Sequence, residues 1–135
     1  MPEGEFLIPL GLARIARPAR TDRSVTVLAW SAMVHTALEA AAKGEERDID
    51  LEVIDLRTLV PLDEATILES VTRTGRAVVA HEAPRTCGWG AELSALIHEK
   101  AMLSLEAPVQ RVTGLDTPFP YALEMDYMPD WRRIL

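Results

Sequence analysis

The chain has 135 residues, of which 48% are hydrophobic and 26% charged, and these values are typical of one globular domain. They exclude a largely disordered chain, and no run of about 18 apolar residues is present that could cross a membrane. The net charge of -7 argues against a general nucleic-acid surface, which needs clustered positive charge. The single cysteine, Cys87, cannot form an internal disulfide, which favours a reducing compartment, and we expect the cytoplasm.

Residues 1–24 are interpreted as an irregular lead-in or linker, because glycines and prolines interrupt any periodic pattern. The acidic N-terminal stretch, residues 1–5, has the features of neither a secretion signal nor a transit peptide. The lead-in also carries four arginines, which are interpreted as a solvated loop because no aromatic side chains lie among them. They are Arg14, Arg17, Arg20 and Arg23.

From residue 25 onward, strands and helices are predicted to alternate. Short apolar or alternating runs predict strands at residues 25–30, 49–56, 77–80 and 108–113. Helix-forming segments lie between and after them, at residues 32–43, 64–74, 91–103 and 122–126, with a further helix beginning at Asp130. Ser31 and Asp63 are predicted to cap the first two helices, which Gly44 and Gly75 are predicted to end.

This alternation predicts an α/β fold, because parallel neighbouring strands need a helical crossover between them. The expected architecture is a three-layer sandwich with a mostly parallel sheet and helices on both faces. Residues 25–135 are predicted to form the domain.

Polar side chains follow the predicted strands, and in an open parallel sheet ligands gather beyond the carboxyl ends of the strands. The second strand is followed by Asp55 and Arg57, which can pair with each other or with a partner loop. The third is followed by His81 and Glu82. A histidine here could act as a general acid or base, but a hydrogen-bonded structural or interface histidine is the favoured interpretation.

Other candidate sites lack the spacing that their chemistry requires. The three histidines form no His-x-x-x-His pair, and Cys87 has no second thiol nearby, so a metal site is not predicted. The run Gly88–Gly90 is interpreted as a tight turn, since no phosphate-binding glycine fingerprint accompanies it. No nucleophile elbow or catalytic set is present. We therefore expect the polar edge of the sheet to meet another protein surface.

Four motifs in combination resemble one family. They are the runs at residues 8–11, 53–63, 81–92 and 112–121, which read IPLG, VIDLRTLVPLD, HEAPRTCGWGAE and VTGLDTPFPY. In this order they resemble the transketolase C-terminal domain, specifically that of the beta subunit of 2-oxo acid dehydrogenases. Such subunits serve the decarboxylating component for branched-chain 2-oxo acids, pyruvate or acetoin.

The resemblance implies a five-stranded sheet with four parallel strands and one antiparallel strand, the fifth expected within residues 5–17 or elsewhere in the lead-in. It also implies an enzyme that decarboxylates a 2-oxo acid on thiamine diphosphate and transfers the acyl group to lipoyl. Thiamine diphosphate and magnesium are expected in the intact complex and not on this chain alone, which we expect to be inactive. No catalytic, cofactor-binding or metal-binding residue is carried over.

The implied role of this domain is subunit association. The expected partners are the N-terminal half of the same subunit, an alpha subunit, a second beta subunit and, in some members, the dihydrolipoyl acyltransferase core. No nucleic acid or membrane partner is expected. The residues expected at the subunit interface are Asp55, Arg57, His81, Glu82, Arg85, Phe119 and Tyr121. The alternative is a free-standing regulatory or small-ligand-binding module whose pocket is the loop at residues 81–85.

Overall fold

A five-stranded sheet forms the centre of the protein in the computed structural model, which describes residues 7–135. Residues 1–6, including the acidic N-terminal stretch, lie outside the described residues. The strands are β1 (Arg14–Arg17), β2 (Val25–Ala29), β3 (Leu51–Asp55), β4 (Ala77–Pro84) and β5 (Gln110–Gly114). The helices are α1 (Met33–Glu45), α2 (Glu64–Thr74), α3 (Trp89–Ala101), α4 (Glu124–Tyr127) and α5 (Trp131–Ile134).

The strand order is β1-β3-β2-β4-β5. All neighbouring pairs are parallel except β1 with β3, which is antiparallel. The predicted α/β fold with a mostly parallel sheet is therefore confirmed. None of the helices formed by residues 7–135 has the length and apolar composition that a membrane crossing requires.

Both faces of the sheet are covered by helices. On one face α1 and α5 pack against side chains such as Val27 and Val53, and on the other α2 and α3 pack against Leu28 and Val79. Val27 and Leu28 are neighbours in β2 that point to opposite faces, and both are fully buried. This explains why β2 reads as an unbroken apolar run, as expected for a strand covered on both sides.

Two of the predicted helix ends are confirmed. Asp63 caps α2, since its carboxylate accepts a hydrogen bond from the Thr66 N–H at 3.1 Å. The same carboxylate accepts the Ala13 N–H at 2.9 Å, so this cap also ties the lead-in to the domain. Gly75 ends α2 in the left-handed conformation with φ of 67°, which glycine adopts at little cost.

The other two predicted helix ends are wrong. Ser31 has φ of 55° and does not cap α1; the N-cap residue is Ala32, which makes no side-chain cap bond. The helix also continues through Gly44 to Glu45. Gly44 is required for packing, because a Cβ there would lie 2.7 Å from the Ile49 carbonyl oxygen.

Residues 14–17, interpreted from sequence as part of an irregular lead-in, instead form β1. The resemblance expected an antiparallel strand in this region, and that expectation is confirmed. The guanidinium of Arg17 holds the strand, with Glu45 at 2.7 Å and Asp50 at 3.0 Å. Burial alone would raise the pKa of Asp50, but hydrogen bonds led by the Ser24 hydroxyl hold it below its usual value. The division into a lead-in and a domain beginning at residue 25 stays a prediction.

A buried carboxylate joins β3 to α2. Glu52 is 1% exposed and accepts hydrogen bonds from the hydroxyls of Ser70 and Thr26, the latter at 3.3 Å. Its other oxygen receives the Arg73 guanidinium at 2.7 Å. Because a buried charge is tolerated only when it is paired and hydrogen-bonded, these partners fix α2 over the sheet.

Substituting Glu52→Gln is expected to lower the free energy of unfolding by about 1–3 kcal/mol, because it removes the charge that Arg73 pairs with and disturbs the buried hydroxyls. Urea denaturation measures this change. Glu39→Gln, at an exposed position of α1, is the matched control and should change stability by less than about 0.5 kcal/mol. Equal effects of the two substitutions would contradict the role given to Glu52.

Candidate functional site at the carboxyl edge of the sheet

The register of the sheet aligns the carboxyl ends of the four parallel strands. Ala29 pairs with both Asp55 and Ala80, and Ala80 pairs with Val112. The residues that follow these four positions therefore lie along one edge. β4 continues beyond its predicted end to Pro84, so part of the candidate set lies in the strand itself.

The crevice between β2 and β4 is where a ligand would be expected. The strand order reverses there: α1 follows β2 on one face, whereas α3 follows β4 on the other, and open α/β sheets bind ligands at such a switch point. Two rings occupy it instead. Trp30 and His81 stack with their centroids 5.3 Å apart and their planes inclined by 18°.

The start of α3 covers the His81 ring. A Cβ on Gly88 would lie 2.6 Å from His81 Cε1, and a Cβ on Gly90 would lie 2.5 Å from Nε2. The run at residues 88–90 is therefore a close contact between backbone and imidazole. His81 is only 1% exposed, so its ring lies beneath the surface of this chain, and its role at a subunit interface stays a prediction.

The surroundings of the His81 imidazole favour its neutral form. Burial lowers the pKa of His81 below its usual value, and the positive charge of Arg111 lowers it further. The Ala83 backbone acts in the opposite direction and is the weakest of the three effects. Neither ring nitrogen makes a hydrogen bond of normal geometry with the described residues.

Asp55 and Arg57 interact through the backbone. The Asp55 carboxylate accepts the Arg57 N–H at 3.0 Å, and this contact shapes a turn in which Arg57 has φ of 57°. Both side chains are half-buried. The sequence predicted that the two residues could pair with each other or with a partner loop. In the structure the Asp55 carboxylate interacts with the backbone N–H of Arg57.

Two pairs of hydrogen bonds hold the loop at residues 85–88 onto β5 and the segment after it. The Arg85 guanidinium donates to the Arg111 carbonyl at 2.9 Å, and the Arg111 guanidinium donates to the Arg85 carbonyl at 3.1 Å. Thr86 donates to the Asp116 carboxylate from its N–H at 2.8 Å and from its hydroxyl at 2.7 Å. These two Thr86 bonds are the main reason that the pKa of Asp116 lies below its usual value.

Beside this loop lies an exposed apolar surface, here called the aromatic patch. Phe119 packs edge-to-face on Tyr121 at 5.3 Å and on the buried Tyr127 at 5.1 Å. Tyr127 in turn lies against Gly114, where a Cβ would be 2.7 Å from the Tyr127 hydroxyl oxygen. The patch consists of Leu115, Phe119, Tyr121, Leu123 and Met125, all exposed.

Of this patch, only Phe119 and Tyr121 are predicted from the sequence as interface residues. The available signal was the spacing of the apolar residues at positions 115, 119, 121, 123 and 125, in a segment without a regular strand or long helix. Large exposed apolar patches mark contact surfaces for other molecules. Tyr121 and Met125, at 88% and 90% exposed, offer the most accessible area.

Comparison with known proteins identifies the fold family. Residues 14–134 match the family described as the transketolase C-terminal domain. The chain belongs to this family.

Three relatives illustrate the similarity. The chain is 49% identical over 131 residues to the mitochondrial 2-oxoisovalerate dehydrogenase subunit beta of Dictyostelium discoideum, covering 96% of this chain and 35% of that protein. It is 53% identical over 129 residues to the pyruvate dehydrogenase E1 component subunit beta of Leifsonia xyli subsp. xyli, covering 95% and 37%. Among solved structures, a split-gene transketolase in an inactive β4 tetramer has a TM-score of 0.81 at 28% identity, covering 96% of this chain and 41% of that one.

The similarity spans nearly all of this chain but only 35–41% of the curated relatives named as beta subunits. The resemblance inferred from the sequence motifs is confirmed. The relatives are subunits by name, and the structural neighbour is a tetramer.

In this transketolase C-terminal domain the remaining candidate chemistry is structural. Among residues 7–135, no three His, Cys, Asp or Glu side chains are grouped so that they could hold a metal ion. The ring of His98 lies 2.6 Å from the Ser94 carbonyl oxygen of its own helix. Cys87 is exposed and precedes the α3 N-cap with φ of 59°, a conformation that disfavours residues with a Cβ.

Substituting Cys87→Gly is expected to raise the free energy of unfolding by about 1 kcal/mol, because relief of the left-handed conformation outweighs the greater freedom of glycine in the unfolded chain. Urea denaturation under reducing conditions measures the change. Cys87→Ala removes the thiol but keeps the Cβ, so it should give no such gain. A gain of equal size with alanine would show that the thiol, and not the backbone, is the source.

Proposed function

We propose that this domain is the assembly domain of the beta subunit of a thiamine-diphosphate-dependent 2-oxo acid dehydrogenase. The parent enzyme oxidatively decarboxylates a 2-oxo acid and transfers the acyl group to lipoyl. This domain contributes subunit contacts and no catalytic group. The observation that carries the proposal is the exposed aromatic patch, which lies beside a polar sheet edge whose switch-point crevice is filled.

Three further observations support an association role. The relatives carry the word subunit in their names, and the solved neighbour is a tetramer. The patch rests on Tyr127 and Gly114, so it is backed by packed structure. Charged groups at its border, including Arg85, add polar contacts of the kind found at interface rims.

The proposed partners are the N-terminal half of the same subunit, the alpha subunit, a second beta subunit and the dihydrolipoyl acyltransferase core. Thiamine diphosphate and magnesium belong to the intact complex in this proposal. Among residues 7–135, no three His, Cys, Asp or Glu side chains are grouped as metal ligands, which supports placing the magnesium-bound diphosphate in the rest of the complex. We therefore derive no catalytic step from this chain.

We propose a cytoplasmic location for the protein, which its single cysteine favours. Some relatives are mitochondrial by name.

Introducing charge into the aromatic patch is expected to weaken association. The double substitution Tyr121→Asp and Met125→Asp changes exposed side chains and should leave the fold intact, while weakening self-association of the chain at least tenfold, because two desolvated carboxylates oppose the contact. Sedimentation velocity over a concentration series measures this, and circular dichroism checks the fold.

The matched control is the double substitution Met102→Asp and Leu103→Asp. These residues are exposed and apolar like the patch, but they lie beyond the far end of α3. Association should then equal that of the unaltered chain. A chain that stays monomeric at all concentrations, or an equal loss in both double variants, would count against the patch as a contact surface.

Thiamine diphosphate with magnesium is expected to show no tight binding to the 135-residue chain, because the chain lacks grouped metal ligands in its described part. Isothermal titration calorimetry at about 50 μM protein tests this, since a dissociation constant of about 1 μM, or about -8.2 kcal/mol, lies well below that protein concentration and would give a resolved isotherm. Saturable micromolar binding would overturn the assignment of the cofactor to the rest of the complex.

A further inference from the structure

From the geometry around His81 we infer that this histidine is the closing element of an acid-sensitive latch: the neutral imidazole seals the switch-point crevice, and its protonation releases the loop at residues 85–88. The inference concerns a conformational device and is independent of the assembly role proposed above.

The closed state depends on a ring that carries no charge. His81 is stacked on Trp30 on one side, while the backbone at Gly88 and Gly90 meets its edge. Transfer of an ionised group into such surroundings is far more costly than transfer of a neutral ring. The ring nitrogens also lack well-formed hydrogen-bond acceptors among the described residues, so the N–H group added by protonation would have no strong acceptor.

The charged groups around the ring also oppose protonation. Arg111 on β5 carries a positive charge that acts on His81, and the positive end of the α3 dipole lies beside the ring. The other ionisable side chains near this end of the packed elements are Glu82 on β4, Arg85 and Cys87 in the loop, Asp116 after β5, and Glu92 in the first turn of α3. His98, Glu99 and Lys100 lie in the last turn of α3, at its far end. Glu82 is adjacent in the strand and points to the opposite face, and Trp30, which follows β2, is uncharged.

The loop is the element that can move. Residues 83–87 are exposed, and the hydrogen bonds that hold the loop to Arg111 and Asp116 are themselves exposed to solvent. Segments with exposed bonds and little buried apolar area open at low free energy. Displacement of this loop brings solvent to the imidazole, whereas displacement of β2 or β4 would disrupt the sheet.

The direction of the pH effect follows from the lowered pKa of His81. The open or unfolded form has a histidine of ordinary pKa near 6.5, so it binds a proton more readily than the closed form. The closed form is therefore fully favoured above about pH 6.5 and loses its advantage as the pH falls below that value. Below about pH 6.5, and while the closed form stays unprotonated, the open population should rise about tenfold for each unit by which the pH falls.

Hydrogen exchange by mass spectrometry on the 135-residue chain, from pH 8 to pH 5, tests the latch. After correction for intrinsic exchange rates, peptides covering residues 84–92 should lose protection below pH 6.5, while those covering α1 should not. His81→Phe keeps an aromatic ring against Trp30 but cannot take up a proton, so its loop should show no such loss. His35→Gln, which removes an exposed histidine from α1, should behave as the unaltered chain does.

A direct titration keeps the test decisive if the phenylalanine variant does not fold. The His81 Cε1–H resonance of the unaltered chain should show proton uptake only over the pH range in which residues 84–92 lose protection. Titration of His81 with an ordinary pKa while the loop stays protected would overturn the inference. Equal acid sensitivity in a folded His81→Phe variant would overturn it as well.

Discussion

Parallel hydrogen bonding of β2 on both of its sides is the constraint on which the rest of the structure depends. β2 lies between β3 and β4 and is in register with both. Every connection between these parallel strands must cross a face of the sheet, which places a helix there. The same requirement brings all four parallel strands to one carboxyl edge, so the polar groups, the loop at residues 85–88 and the aromatic patch all lie on one side of the molecule.

Because side chains fill the switch-point crevice, the structure favours one of two possible functions of this fold, subunit contact, over the other, ligand binding. A doubly wound sheet usually leaves a crevice where the crossovers diverge, and here Trp30 and His81 occupy that space. A ligand-binding module whose pocket involves His81 would first need this stack to open. A surface for other subunits needs no such opening, because the aromatic patch is already exposed.

The sequence predicted the elements whose signals are local. The apolar runs of β2 and β4, the Asp63 cap and the Gly75 stop each depend on a few neighbouring residues. β1 was expected only from the family resemblance and not from its own residues, because Arg14–Arg17 contains no apolar run; Arg17 is held by the distant carboxylates Glu45 and Asp50. The position of the candidate residues at one edge of the sheet could be predicted from the parallel topology. The burial of His81 could not, because it depends on the close approach of Gly88 and Gly90, which residue spacing does not indicate. The interface roles of all seven candidates stay predictions: Asp55, Arg57, His81, Glu82, Arg85, Phe119 and Tyr121.

The geometry of β1 also bears on how the domain behaves in concentrated solution. β1 is an edge strand of four residues with an arginine at each end, and its register with β3 shifts between Ile15 and Arg17. A short, charged and irregular edge offers few free backbone groups in line for another strand, which is how natural sheets avoid edge-to-edge aggregation. β1, the strand with the weakest signal in the sequence, thus protects this edge of the open sheet against the addition of further strands from other molecules.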